Sequence, residues 1–203
     1  NRIHHINSSA TPALTPSHAI QYTLANAPAA KTNVNVTDNC ISDVGSSNLT
    51  GNSASAMGFL HSLSTGTLTG LTIARNSISN ITVNNGAWPT GKIAYGIQLN
   101  AGSSNYMTST GKIVSASIQD NEITSLSGHI ATAIALEGNT ENASVTGNKV
   151  SNLSGTKTAD RANGGYDVNG LKFESNRYVS TCVVTNNSLA ANTFSNNGNA
   201  NRG

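Results

Sequence analysis

Gly70–Ile81 reads GLTIARNSISNI, and these twelve residues decide the fold. Leu71 and Ile73 alternate with Thr72 and Ala74, the period of two that marks a strand with one buried face. Asn76 stands where the alternation breaks, and asparagine tolerates the left-handed backbone that a sharp turn asks for. Ile78 and Ile81 resume the apolar pattern beyond it. The same phrase returns as NVNVTDNCISDV from Asn33, SASIQDNEITSL from Ser115, NASVTGNKVSNL from Asn142 and TCVVTNNSLAAN from Thr181. NRIHHI, at Asn1–Ile6, is its second half. The turn asparagines are therefore Asn1, Asn39, Asn76, Asn121, Asn148 and Asn187, spaced by 38, 37, 45, 27 and 39 residues.

A second signature interleaves with the first. His18-Ala-Ile-Gln-Tyr22 is followed by Met57-Gly-Phe-Leu60, Tyr95-Gly-Ile-Gln-Leu99, Thr132-Ala-Ile-Ala-Leu136 and Asn169-Gly-Leu-Lys-Phe173. Its small residue falls at 19, 58, 96, 133 and 170, gaps of 39, 38, 37 and 37. One supersecondary unit repeated at such a period is the mark of a solenoid. Each repeat reads as three short strands, with no helical spacing over a useful length. The expected fold is all-β: a right-handed parallel β-helix of about five coils of roughly 37 residues, with an asparagine ladder at one corner.

The expected domain is a single one over 1–203, a segment of a longer chain or filament. Its coils lie near 1–17 (partial), 18–55, 56–92, 93–129, 130–166 and 167–203. Ile3, Ile41, Ile78, Ile123, Val150 and Leu189 form one internal column; Val36, Ile73, Ile118, Val145 and Val184 form another. The interval from Asn121 to Asn148, 27 residues, holds three strands and their bends with little to spare. Longer coils carry insertions at Gly102–Lys112, Asn84–Gly91 (with Trp88 and Pro89) and Thr156–Tyr166, which loop closure tolerates cheaply.

Composition narrows the function. Charged residues make up 10% of the chain and the net charge is +2, too weak a basic field for a nucleic-acid backbone. No apolar run approaches the roughly 18 residues that span a bilayer, so membrane insertion is not expected. Asparagine alone accounts for 29 of 203 residues, and the few aliphatics are regularly placed, unlike those of a disordered chain. Seven N-x-[ST] sequons, at Asn7, Asn35, Asn48, Asn80, Asn142, Asn152 and Asn186, are what such a composition gives by chance.

The N-x-[IV]-S-x-[LIV] unit paired with AYGIQL-like strands resembles the β-helical repeats of large secreted bacterial surface proteins, the repeat-rich type IX-secreted proteins of the Bacteroidetes. That resemblance implies an extracellular or cell-surface location. The same superfold also hosts polysaccharide lyases, polygalacturonases and phage tailspikes, so architecture alone does not settle activity.

Carbohydrate-cleaving chemistry needs converging carboxylates, and the chain has nine Asp and Glu in all. Asp38, Arg75 and Asp120 share one register just before the turn asparagine and read as an alternating-charge ladder. Glu122 and Lys149 repeat that pattern. Asp160, Arg161 and Asp167 lack calcium-loop spacing, and the five histidines lack paired-ligand spacing. His4 and His5 are expected on a strand surface. His61 falls on the register of Leu99, Leu136 and Phe173, unless that coil slips by one residue and buries Leu60, the preferred reading. Cys182 takes the core register of Val34, Leu71, Ala116 and Ala143. Cys40, at a turn four coils away and about 19 Å distant, is too far to bridge it. No residue is assigned a catalytic, cofactor-binding or metal-holding role, and no cofactor is expected.

Asn35, Thr72, Ser117, Ser144 and Val183, with Thr37, Ala74, Gln119, Thr146 and Thr185 beside them, form an almost uncharged outward face without the usual protection of sheet proteins. The leading expectation is a non-enzymatic structural or adhesive segment of an extracellular fibre, acting through extension and through lateral or head-to-tail contact with copies of itself or with glycan. The rival is a polysaccharide-active lyase or glycoside hydrolase. A glycan- or ice-binding module is more distant, because the threonine spacing is irregular. Neither end carries a capping helix, and the expectation is a cut from a longer β-helix or a self-stacking unit.

Overall fold

The computed structural model describes residues 1–8, 17–23, 31–46, 54–61, 66–83, 93–101, 111–155, 168–174, 179–190 and 193–194. They are all-β, in four parallel sheets whose neighbouring strands lie one repeat apart in the chain. Sheet one stacks Arg2–Ser8, Cys40–Ser46, Ser77–Val83, Glu122–Gly128, Lys149–Gly155 and Ser188–Ala190, and Thr193–Phe194 also pairs with Lys149–Gly155. Sheet two stacks Ser17–Thr23, Ala54–His61, Ile93–Ala101, Ile130–Gly138 and Val168–Glu174. Sheet three is narrow, with Lys31–Thr32, Thr67–Thr69, Lys112–Val114, Thr140–Glu141 and Val179–Ser180. Sheet four stacks Asn35–Thr37, Thr72–Ala74, Ser117–Gln119, Ser144–Thr146 and Val183–Thr185.

A repeat thus has four strands, not the expected three. The extra strand lies in the segment expected to be a loop before the middle strand, and a left-handed residue at Asn33, Gly70, Ser115, Asn142 or Thr181 separates the two. Burial steps by three across the bend, from Leu68 to Leu71, Ile113 to Ala116 and Thr140 to Ala143, so the short strand is out of phase with the one that follows it. Sheet three also claims Lys112–Val114, so the excursion starting at 102 closes into a strand. The rest of that insertion, 102–110, and the insertions at 84–91 and 156–166 lie outside the described residues.

Both aliphatic columns stand in the expected register, although their last members, Val184 and Leu189, are exposed rather than internal. Ile3 pairs in register with Ile41, Ile41 with Ile78, Ile78 with Ile123, Ile123 with Val150 and Val150 with Leu189. Val36, Ile73, Ile118, Val145 and Val184 align likewise in sheet four. Ile41, Ile73, Ile78, Ile118 and Ile123 are wholly buried. Burial of an aliphatic side chain of that size contributes about 1.5–3 kcal/mol, so the columns are the main cohesive element.

Sheet two corrects the register of its second strand. Leu99 pairs with Phe59, Asn100 with Leu60 and Ala101 with His61. The coil slips by two residues rather than one, and Phe59 takes the column of Tyr22, Leu99, Leu136 and Phe173. Met57 pairs with Ile20 and Ile97, so Ala56, not Gly58, precedes the first apolar residue there. The small residue of this column is dictated by space. A β-carbon at Gly96 would come within 2.9 Å of Ile123 Cγ2 and 2.6 Å of the Ala133 carbonyl oxygen.

Candidate functional site

The asparagine corner is the most organised polar feature of the protein, and its chemistry follows from backbone direction. Just before the corner, the N–H groups of Asp38, Arg75, Asp120 and Gly147 donate forward, to carbonyls of the following coil. Just after it, those of Cys40, Ser77, Glu122, Lys149 and Ser188 donate backward, to the preceding turn asparagine. The reversal leaves the N–H of the turn residue without a carbonyl partner. The next asparagine supplies one: Asn76 Oδ1 accepts from Asn39 N–H at 3.0 Å and from Asn39 Nδ2 at 2.9 Å. Asn121 does the same for Asn76, Asn148 for Asn121 and Asn187 for Asn148. Asn1 Nδ2 also reaches Asn39 Oδ1, at 3.0 Å.

The second Nδ2 hydrogen reaches back to a carbonyl of the preceding coil, from Asn76 to Val36, Asn121 to Ile73, Asn148 to Ile118 and Asn187 to Val145. Only a primary amide offers one acceptor oxygen and two donors on so short a stem. Asn76, Asn121 and Asn148 are accordingly almost fully buried.

The turn asparagines do not adopt the left-handed conformation expected of them. That role belongs to the residue before each: Asp38, Arg75, Asp120, Gly147 and Asn186, with φ between 53° and 69°. A further column of left-handed residues, His5, Asp43, Asn80, Ser125 and Asn152, bends the five longer strands of sheet one. The corner therefore separates two tasks, one residue bending the chain and its neighbour bonding the coils.

The charged residues fall where register places them. Arg75 grips Asp38 through both oxygens, Nε to Oδ1 at 2.8 Å and a terminal nitrogen to Oδ2 at 2.7 Å. That pair of bonds holds the Asp38 carboxyl below its ordinary range and raises Arg75. Glu122 and Lys149 occupy adjacent rungs. Lys112 lies 3.5 Å from Glu141, two rungs of acid and base without a second carboxylate. Asp43 accepts from Asn80 Nδ2 and from Ser42 Oγ, which together lower its pKa. His4 and His5 are exposed, as expected, and burial depresses the pKa of His18. Asp160, Arg161 and Asp167 lie outside the described residues. Cys40 is exposed at the start of its strand rather than at a turn, Cys182 is half-buried, and neither is in a disulfide.

One cluster was missed by sequence reasoning. Glu137, at the end of its sheet-two strand, accepts from Tyr95 Oη at 3.3 Å and Gln98 Nε2 at 2.9 Å, from the coil below. Lys172 Nζ, from the coil above, lies 3.5 Å away. The Glu137 side chain is only 13% exposed and that of Lys172 28%. Ala135 stands in register between Gln98 and Lys172, small enough for both to converge on the carboxylate. Glu174 shares the register of Glu137 one rung higher, the one place among the described residues where two acidic positions are adjacent in a column. The signal was available: Gln98 and Lys172 occupy the same place in the second signature, and Glu137 and Glu174 each follow its last apolar residue.

This cluster can bind charge or stabilise coil stacking. Among the described residues no three His, Cys, Asp or Glu side chains group as metal ligands. The expected uncharged face on sheet four is present except at Ala74, which is wholly buried rather than outward, and its hydroxyls engage one another: Ser144 Oγ and Thr146 Oγ1 at 3.1 Å, Thr146 and Thr185 at 3.4 Å. Compared with protein-family models, curated proteins and solved structures, the chain matches none of them.

Proposed function

We propose that the chain is a right-handed parallel β-helix serving as a non-enzymatic structural or adhesive segment of an extracellular or cell-surface fibre, of the kind found in repeat-rich secreted proteins of the Bacteroidetes. The observation that carries this reading is where the chain invests its polar groups. The buried asparagine ladder and the ion pairs Arg75–Asp38 and Lys172–Glu137 all join one coil to another. Such bonds resist separation of coils along the stacking direction, the demand placed on an extended fibre. Contact with a second copy or with glycan would be lateral, through the uncharged face of sheet four, or end to end.

A second reading has one observation in its favour. Glu137 and Glu174 hold the same register position in adjacent rungs of sheet two, and a pair of carboxylates is what glycoside hydrolysis requires. A panel of acidic and neutral polysaccharides, assayed for reducing ends and for unsaturated products, separates the two. The structural reading expects no turnover on any of them. Turnover that Glu137→Gln abolishes would replace it with the enzymatic one.

A further inference from the structure

We draw no further inference here: the strongest candidate, the apolar edge that Phe173, Val183, Val184 and Leu189 expose on the last described coil, carries none because nothing in the structure shows what covers it.

Discussion

At the scale of single residues, two asparagines that look alike in the sequence do different work. Asn121 lends its Oδ1 to Asn76 and its Nδ2 to Asn148 and Ile73, so removing the amide strands buried groups in two coils. Each such group left unpaired costs about 1–3 kcal/mol, and Asn121→Ala and Asn121→Gly should both melt markedly lower. Asn152 is exposed, lies outside the ladder and has φ 55°. Its replacement by Ala should cost about 1–2 kcal/mol from left-handed strain alone, whereas Asn152→Gly should be close to neutral. Thermal melts of the four variants check this, and a harmful Asn152→Gly would contradict the division of labour. The sequence revealed the ladder because asparagine recurred at fixed spacing. It hid the bends, because Asn, Asp, Ser, Thr, Arg, His and Gly all fill them and no single residue type repeats.

Thr140 offers an opposite test. It is fully buried in the register of Ile113 and Val179, and its hydroxyl has no hydrogen-bond partner among the described residues. An orphaned buried hydroxyl costs about 1–3 kcal/mol, and an isosteric methyl removes that penalty. Thr140→Val should therefore raise the melting temperature, and a fall would show that the hydroxyl is bonded.

At the scale of the strand and its column, charge is arranged by register. Asp38, Arg75 and Asp120 follow one another before the corner, and Arg75 closes on Asp38. The Asp38 carboxyl has its pKa depressed, first by the hydrogen bond from Arg75 and next by that from Thr37. A depressed carboxyl stabilises the fold above its ordinary value of 3.8, and that contribution is lost as the pH falls through the lower folded value. The pair is solvent-exposed, so its effect on stability is small and is best read from the titration itself. In Arg75→Asn, which keeps a residue tolerant of the bend, the NMR titration of Asp38 should return toward the ordinary value. An unchanged titration would detach the shift from Arg75.

The element scale is also where sequence reading went astray. The slip in Ala54–His61 was recognised from His61, a polar residue on an apolar column. Its size was not, because Phe59 and Leu60 are both plausible occupants and only pairing with Leu99 separates them. Glu137 was passed over for a related reason. Its partners Tyr95, Gln98 and Lys172 lie between 35 and 42 residues away, and only the completed register of sheet two brings them together.

At the scale of the whole molecule, repetition made the architecture legible. An all-β chain of parallel strands one repeat apart follows from the spacing of the asparagines and the aliphatic columns, which the structure reproduces coil by coil. The shortest interval, Asn121 to Asn148, was the useful guide, since 27 residues leave no room for anything but strands and bends. Function was not legible in the same way, because a repeat specifies how coils stack and says little about what touches the outside. The charge-free face of sheet four and the Glu137 cluster are both outward features, and neither carries a motif of fixed spacing.

The central claim is that buried asparagine amides bond each coil to the next, and the exchange of side-chain amide hydrogens tests it most directly. Followed by NMR in deuterated buffer, the Nδ2 hydrogens of Asn76, Asn121 and Asn148 should persist long after those of exposed Asn80, Asn142 and Asn152 have exchanged. Exchange of all six at a common fast rate would contradict the ladder and the stacking built on it.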